Sequence, residues 1–435
     1  MKILVANLGS TSLKWRLFEF LDGQEQLLHK GGLERVTDYA LAIEDCCRQL
    51  LDGGFIQSEM ELAAVGFKTI MARGVTGCVR LDENVLQAME VFNGIAPAHN
   101  PPYINGIRLF AQRMPEIPLV ALFETAFYQW VPEAAVRYAV PDEWYELGVR
   151  RWGFHGASHK YIAERSAELL GREDVAERAR QLYVNRGASQ VGVADLRIIS
   201  CHLGGSSSVT GILNGIAIGT SMGLSPQSGL PQNNRVGELD SFALPFVMHT
   251  TGLSLEEAET VLCRESGLKA LSGGYNDIRD ILKQAAKGNA RARTALQVYV
   301  QQARHWIGSF LLQLNGADAL VFTAGIGENQ PVIRKIICAN LDQVGILLDE
   351  ERNASIKSRE AVISTPDSPV KVMVVPTNEE SVVAREVKRF IDKEAAEAAA
   401  LAARKAEAAA KSKLSNIKSK LSTKKKHGSS SNWTD

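Results

Sequence analysis

No charge of either sign predominates in this chain: 49 lysines and arginines stand against 49 aspartates and glutamates. A sequence without net charge has no global field to draw it onto a polyanion, so nucleic acid is not an expected partner. Long apolar runs are missing as well. Met1 leads straight into a short strand-like stretch that fits neither a signal peptide nor a spanning helix, so a cytoplasmic chain with no transmembrane segment is expected. The six cysteines, Cys46, Cys47, Cys78, Cys201, Cys263 and Cys338, have neither metal-ligand nor disulfide-framework spacing, which reads as thiols in a reducing compartment. What the chain does have is apolar content, 45% of 435 residues, enough for two or three domains with substantial cores.

It also has a repeat. Residues 2–16 read KILVANLGSTSLKWR and residues 197–211 read RIISCHLGGSSSVTG. Aligned without a gap, each is an apolar strand, a polar residue, Leu-Gly, a run of small hydroxylic residues and a second strand. Two copies so far apart point to a duplicated domain. Gly9, Gly204 and Gly205 let backbone N–H groups approach an anion, while Ser10, Ser12, Ser206 and Ser207 add hydroxyls, so each turn suits a phosphate. Either turn alone would read as a tight Gly/Ser hairpin; the duplication favours phosphate.

In chain order, residues 2–6 and 14–19 alternate as hairpin strands, and Asp22-Gly23 is a turn signal. Apolar residues at helical spacing predict a helix over 39–51, strand returns over 62–70, and 85–92 reads as helix. Residues 95–108, IAPAHNPPYINGIR, carry three prolines and are expected to be an extended or turning loop rather than helix. Residues 119–123 form a strand running into Glu124.

The ordered motifs NLGSTSLKW, IAPAHNPP, FETAF, GFHGASH, CHLGG, TSMG, NDIRD, FTAGIGEN and PTNEE resemble the acetate kinase family of short-chain carboxylate kinases over residues 1–392. The resemblance implies an α/β protein with a duplicated actin-like (ribonuclease H-like) ATPase fold, two lobes around a central active-site cleft, acting as a homodimer. Residues 1–147 with 381–392 would form the N-terminal lobe, and 148–380 the C-terminal lobe with the nucleotide site. The implied activity is reversible, direct in-line transfer of a phosphoryl group from ATP to acetate or propionate, giving ADP and an acyl phosphate. Mg²⁺, or Mn²⁺, is the implied ion, organised by Asn7 and Glu379.

The same resemblance distributes the remaining roles. Glu124, His155 and Arg235 are the implied catalytic residues, His155 and Arg235 stabilising the oxygens of the transferring group. Lys68, Ile70, Ala98, Phe154 and Pro226 would bind the acid. Lys14, the second turn (His202, Leu203, Gly204, Gly205, Ser206), Asp277-Ile278-Arg279 and Gly325-Ile326-Gly327-Glu328-Asn329 would hold the nucleotide. The last of these follows an apolar strand and should open a helix. Taken without the resemblance, His155 is equally a core histidine, NDIRD a surface ion pair and GIGEN a helix cap.

Several positions depart from the family pattern. Lys68 stands where the family has an arginine, which keeps the charge and loses the two-pronged contact to a carboxylate. Glu124 replaces an aspartate, and Gly205 an asparagine. The loop before Arg235 reads SGLPQNNR where the family has EGL-x-M-G-T-R. In the acyl pocket Ile70 and Ala98 replace Val and Leu, which makes a roomier pocket and allows propionate or a slightly larger acid.

Beyond residue 392 the composition changes. Residues 394–411 are rich in Ala, Glu, Lys and Arg and read as a semi-rigid helical spacer. Residues 411–426 are basic, with Leu414, Ile417 and Leu421 on one narrow stripe, and are expected to order only on docking to a protein partner, a protein shell or an anionic surface. Residues 428–435 are polar and expected to be disordered. The competing overall function is a kinase relative that binds nucleotide with weak turnover and serves as a tail-tethered scaffold.

Overall fold

The structure, a computed structural model, describes residues 1–426 apart from 10, 98, 186–191 and 193; the side chains of 410 and 414–426 also lie outside the description, as does the expectation for 428–435. Two compact units are present, Met1–Val387 and Lys388–Asp435.

The first unit contains two six-stranded sheets of the same design. In the first, β1 (Lys2–Leu8), β2 (Ser12–Leu21), β3 (Gln24–Glu34), β4 (Leu62–Thr69), β5 (Cys78–Arg80) and β6 (Leu119–Phe123) lie in the order β3-β2-β1-β4-β6-β5. In the second, β7 (Arg197–Leu203), β8 (Ser207–Leu213), β9 (Ile216–Thr220), β10 (Ala319–Thr323), β11 (Ala361–Val362) and β12 (Lys371–Val374) lie in the order β9-β8-β7-β10-β12-β11. Each sheet starts with an antiparallel meander, continues through three parallel strands and ends on one antiparallel edge strand. The sequence repeat is therefore the β1–β2 and β7–β8 hairpins of two copies of one unit.

Burial follows from strand position. β6 and β10, interior strands flanked on both sides by others, are buried at every residue and read as unbroken apolar runs, whereas edge strand β3 is largely exposed. Helices Tyr39–Asp52 and Asn100–Arg113 pack Ile43, Leu50, Ile107 and Phe110 against the first sheet. The second sheet has helix Gly156–Leu169 contributing Ile162 and Ala163 to one apolar cluster, and helix Ala290–Gln313 contributing Tyr299 and Phe310 to another. Asp22 and Gly23 both have positive φ, as a two-residue hairpin turn requires.

Two expectations are corrected. Residues 95–108 are not loop throughout: a helix starts at Asn100 and runs to Arg113, with proline in its first turn. The first helical N–H groups have no intrahelical partner to lose, so Pro101 and Pro102 cost nothing there. The C-terminal helix, Glu379–Lys426, extends through the whole basic segment, which was expected to order only on a partner. A helix already nucleated upstream adds further residues without a second nucleation cost.

The start of that helix belongs to the core of the first unit. Val383 and Val387 lie on Gly66 of β4, where an added Cβ would come within 2.9 Å of Val387. Arg385 bridges Glu25 of β3 and Glu164 of helix Gly156–Leu169. Ending the chain after Asp392 is therefore expected to leave the thermal midpoint within about 2 °C. Ending it after Thr377 removes Val382, Val383, Ala384 and Val387, all at most 1% exposed, and is expected to lower the midpoint by more than about 10 °C or abolish folding. Thermal circular dichroism of the two truncations decides this.

Candidate functional site

Strand ends bring the charged candidates together. Ala6 pairs with Phe67 in the parallel β1–β4 ladder, so Asn7 and Lys68 are neighbours one residue further on. Lys68 also pairs with Leu122 across the β4–β6 ladder, two residues before Glu124. Lys68 Nζ donates to Glu379 at the start of the C-terminal helix and stands 3.3 Å from Glu124 Oε1. The Tyr103 hydroxyl donates to Asn7 Oδ1 at 2.8 Å. A residue from each of two neighbouring strands, the loop after a third and a helix start thus form one polar centre.

Electrostatics divide that centre unequally. Burial works against the Lys68 cation, but Glu379 and Glu124 outweigh it and push the ammonium well above its usual value. For Glu379, burial raises the carboxyl while Lys68 and His202 pull harder, leaving it below the ordinary range. Glu124 goes the other way: burial dominates over Lys68, and its carboxyl is raised. Glu379 is the firmer carboxylate and Glu124 the one closer to accepting a proton. Among the described residues Glu124 Oε2 has no hydrogen-bond partner, although it is buried.

His155 stands beside this centre in a left-handed conformation, φ 60°, as the N-cap of helix Gly156–Leu169. Such a backbone is uncommon outside glycine and signals a position held for its side chain. The next residue must be glycine for a different reason: a Cβ on Gly156 would lie 2.1 Å from the Glu124 carbonyl oxygen, which accepts the Gly156 N–H. The helix start is thereby seated directly on the Glu124 backbone.

A row of imidazoles and hydroxyls runs inward from His155. Its Nδ1 is 2.8 Å from Ser208 Oγ, which is also 2.8 Å from His159 Nε2, and His159 Nδ1 is 2.8 Å from Ser200 Oγ. The His202 ring stacks on His155 at 4.0 Å and bonds Ser158. If His155 Nε2 carries the proton, Ser208 donates to Nδ1, His159 Nε2–H donates to Ser208, and Ser200 donates to His159 Nδ1. Every group in the row can satisfy that assignment. Burial lowers all three imidazoles, His202 to about 4, so they are neutral at pH 7.

Arg235 completes the cationic side. Its guanidinium donates to Gln232 Oε1 at 3.3 Å and to the Pro226 carbonyl at 3.5 Å, with His99 Nε2 at 3.4 Å. Gln232, 1% exposed, also donates to that carbonyl at 2.6 Å. Of the acyl-pocket candidates, Phe154 joins Met71, Phe92, Ala96 and Met222 in one apolar cluster, with Ile70 packed on it. Pro226 takes part through its carbonyl, and Ala98 lies outside the described residues.

The nucleotide candidates separate into groups. Gly204, Gly205, Asp277, Ile278, Arg279, Gly325, Ile326 and Asn329 line one cavity of about 570 Å³, together with Asn233, Gln330 and Lys357, which the sequence reading did not single out. Asp277 caps helix Ile278–Ala286 and pairs with Arg279 at the cavity rim. The GIG turn opens helix Ala324–Asn329 as expected. His202, Leu203 and Gly327 are buried behind that cavity's turns, Ser206 Oγ is buried with no partner among the described residues, and Glu328 accepts from the Thr377 N–H. Lys14 is elsewhere: it pairs with Glu34 at 2.9 Å and lines a recess of about 250 Å³ with Asn7, Arg16, Lys30 and Glu380. Tyr103, His159, Ser208, Gln232 and Asn233 are the functional neighbours that were missed; only their places in strongly matched motifs could have signalled the first three.

The neutral histidines predict acid sensitivity. Above the unfolded pKa of about 6.5 both states are neutral and no stability depends on pH; below it the unfolded chain takes up protons that the native chain refuses. Each such imidazole then costs about 1.4 kcal/mol per pH unit until its folded pKa is reached. Urea unfolding at pH 7 and pH 5 should show this loss, and His159→Gln, which keeps an N–H toward Ser208 without titrating, should reduce it. An equal loss in the variant would mean that native His159 accepts the proton.

A model of the Acetokinase family matches residues 29–385. Acetate kinase of Natranaerobius thermophilus is 39% identical over 420 residues, covering 90% of this chain and 100% of that protein. The crystal structure of Porphyromonas gingivalis acetate kinase superposes with a TM-score of 0.78 at 32% identity, covering 90% of this chain and 99% of that one. A propionate kinase from Francisella tularensis gives 0.76 at 31% identity, covering 88% and 98%. With its two sheets of one duplicated actin-like design, the chain belongs to the Acetokinase family.

Proposed function

We propose that this chain is a kinase that moves the γ-phosphoryl group of ATP to a short-chain carboxylate, acetate or propionate, and catalyses the reverse transfer. A carboxylate oxygen attacks the γ-phosphorus, the bond to the β–γ bridging oxygen breaks, and ADP departs. A simple carboxylic acid is ionised at neutral pH, so positioning and charge neutralisation outweigh proton transfer. The observation that carries this reading is the convergence of Lys68, Glu124 and Glu379 beside His155, with Arg235 acting on the same imidazole.

In this reading His155, held neutral, donates from Nε2 to an oxygen of the transferring group, and the Ser208–His159–Ser200 row accommodates the proton on that nitrogen. Arg235 supplies full positive charge to another oxygen, aimed by Gln232 and the Pro226 carbonyl. Lys68 holds the acid's carboxylate within reach of the γ-phosphorus while it balances Glu379. The apolar cluster around Phe154 and Ile70 receives the alkyl group and keeps water away. The cavity of the second glycine turn holds the nucleotide; Lys14, paired with Glu34 and lining a separate recess, is not part of that cavity, which corrects its expected role on the phosphates.

Asn7, Glu124 and Glu379 offer hard oxygen donors, and the unpartnered Glu124 Oε2 is one that a cation can use, so the residues present fit Mg²⁺ or Mn²⁺. Bound there, the ion would neutralise charge on the polyphosphate. Residues 1–147 with 381–392 and residues 148–380 are the two lobes of this reading, a division supported by the two sheets and by the packing of Val383 and Val387 on β4. Among the described residues no helix is long and apolar enough to cross a membrane, and a cytoplasmic location is proposed. Residues 411–426 are assigned to docking on a protein partner or shell, tested by pull-down of the full chain against a chain ending at Asp392. No observation favours a non-catalytic scaffold.

Arg235→Ala is expected to lower kcat at least about 100-fold with a smaller change in ATP affinity, read in a hydroxamate assay across formate to valerate. Near-normal kcat would remove Arg235 from the transition state. A homodimer is proposed through the exposed apolar face of Leu239, Phe242 and Phe246, the phenylalanines being 79% and 70% exposed. Phe246→Glu should then sediment as a monomer; an unchanged sedimentation coefficient would put the interface elsewhere.

A further inference from the structure

Two of the departures from the family pattern meet in space. Gly205 replaces an asparagine in the second glycine turn, and in SGLPQNNR the asparagine Asn233 stands where EGL-x-M-G-T-R has its glycine. The two positions are 28 residues apart in sequence, yet Asn233 N–H donates to the Gly205 carbonyl at 3.1 Å. On its other side the Asn233 carbonyl accepts from Lys269 N–H at 2.9 Å. The backbone of Asn233 is therefore pinned against the turn, and its side chain has a fixed origin.

Gly205 owes nothing to backbone conformation, since its φ is not among the positive ones. Space is tight instead: a Cβ at 205 would lie 3.2 Å from Asn233 Nδ2 and 3.7 Å from its Cγ, so even an alanine would make the amide shift by a few tenths of an ångström, and a longer side chain would compete with it for the same room. The amide of Asn233 thus occupies the room that a side chain at 205 would take. It lines the cavity shared by Gly204, Asp277, Arg279 and Gly325, and makes no side-chain hydrogen bond of its own among the described residues. An amide donor that faces a glycine-lined cavity, unspent on the protein, is available to a ligand.

We propose that Asn233 is a nucleotide-binding residue of this chain, its Nδ2 donating to a phosphoryl oxygen of the nucleoside di- or triphosphate, and that it replaces from the neighbouring loop the amide missing at position 205. The proposal rests on the cavity being the nucleotide site. Its distinctive consequence is reciprocity: an amide belongs at 205 or at 233, and not at both.

Calorimetric titration of the full chain with Mg·ADP tests it. Asn233→Ala should weaken ADP about tenfold, the loss expected of one hydrogen bond to a charged group, with KM for the carboxylate unchanged. Gly205→Asn alone should also weaken ADP, because the two amides collide. Gly205→Asn combined with Asn233→Gly should return to within about threefold of the parent, a non-additivity that separate effects do not produce. ADP affinity unchanged in Asn233→Ala, or strictly additive losses in the double variant, would overturn the proposal. Asp277→Ala is the control: if it weakens ADP while Asn233→Ala does not, only this inference fails, and if neither does, the cavity itself is misassigned and the inference falls with it.

Discussion

One partly buried cation holds this protein's chemistry in place. Lys68 reaches from β4 to Glu379 on the C-terminal helix and to Glu124 beyond β6, so a single ammonium ties three segments separated by as many as 311 residues. Taking charges out of water is costly, and such a centre contributes little net stability compared with apolar residues of the same size. Loss of one member is a different matter, on the order of 3–5 kcal/mol, because a charge is left buried alone. The Lys68 centre therefore enforces an arrangement more than it stabilises a fold. The cost is borne by the apolar layers on either side, where Phe67 and Phe123 of the first sheet and Phe110 of the helix packed on it are at most 1% exposed.

The histidine row depends on the same centre through the backbone. Because Gly156 N–H bonds the Glu124 carbonyl, the helix that carries His155 and His159 is registered to the carboxylate. His159, one turn after His155 on the same helix face, meets the same serine, which is a consequence of helical spacing together with Ser208 facing that helix from β8. Position and charge state of His155 are thus set by two different means, left-handed backbone and burial, while the hydrogen-bond row ties its ring to His159 through Ser208.

The sheet duplication was legible because strand, glycine turn and strand leave a pattern in sequence that survives divergence at every other position. The catalytic candidates were legible through ordered motifs. The helix Asn100–Arg113 was hidden by proline, whose effect depends on whether it falls before, in, or after the first turn, and nothing local specifies that. The order of residues 411–426 was misjudged by treating them alone when they continue a helix begun at Glu379. Gln232 was missed for another reason. Its role is to fix a guanidinium that lies three residues away in sequence, and glutamine in a polar loop has no distinguishing context until the Pro226 carbonyl is seen beside it.

Position-by-position reading also counts departures singly when the structure joins them. Lysine for arginine at 68 shortens the reach of the positive head and removes its second prong. Glutamate for aspartate at 124 lengthens the facing carboxylate by one methylene, and its Oε1 arrives 3.3 Å from the ammonium. A shorter cation is met by a longer anion across the same gap. Burial is what raises the Glu124 carboxyl; the Lys68 ammonium opposes that shift and the neighbouring Glu379 carboxylate adds to it. Gly205 and Asn233 repeat the logic with volume and hydrogen-bond donors in place of charge. On the proposed reading of Asn233, both pairs retain the total at the site, a balance of charge in one and one amide in one space in the other, while the residue that supplies it has changed.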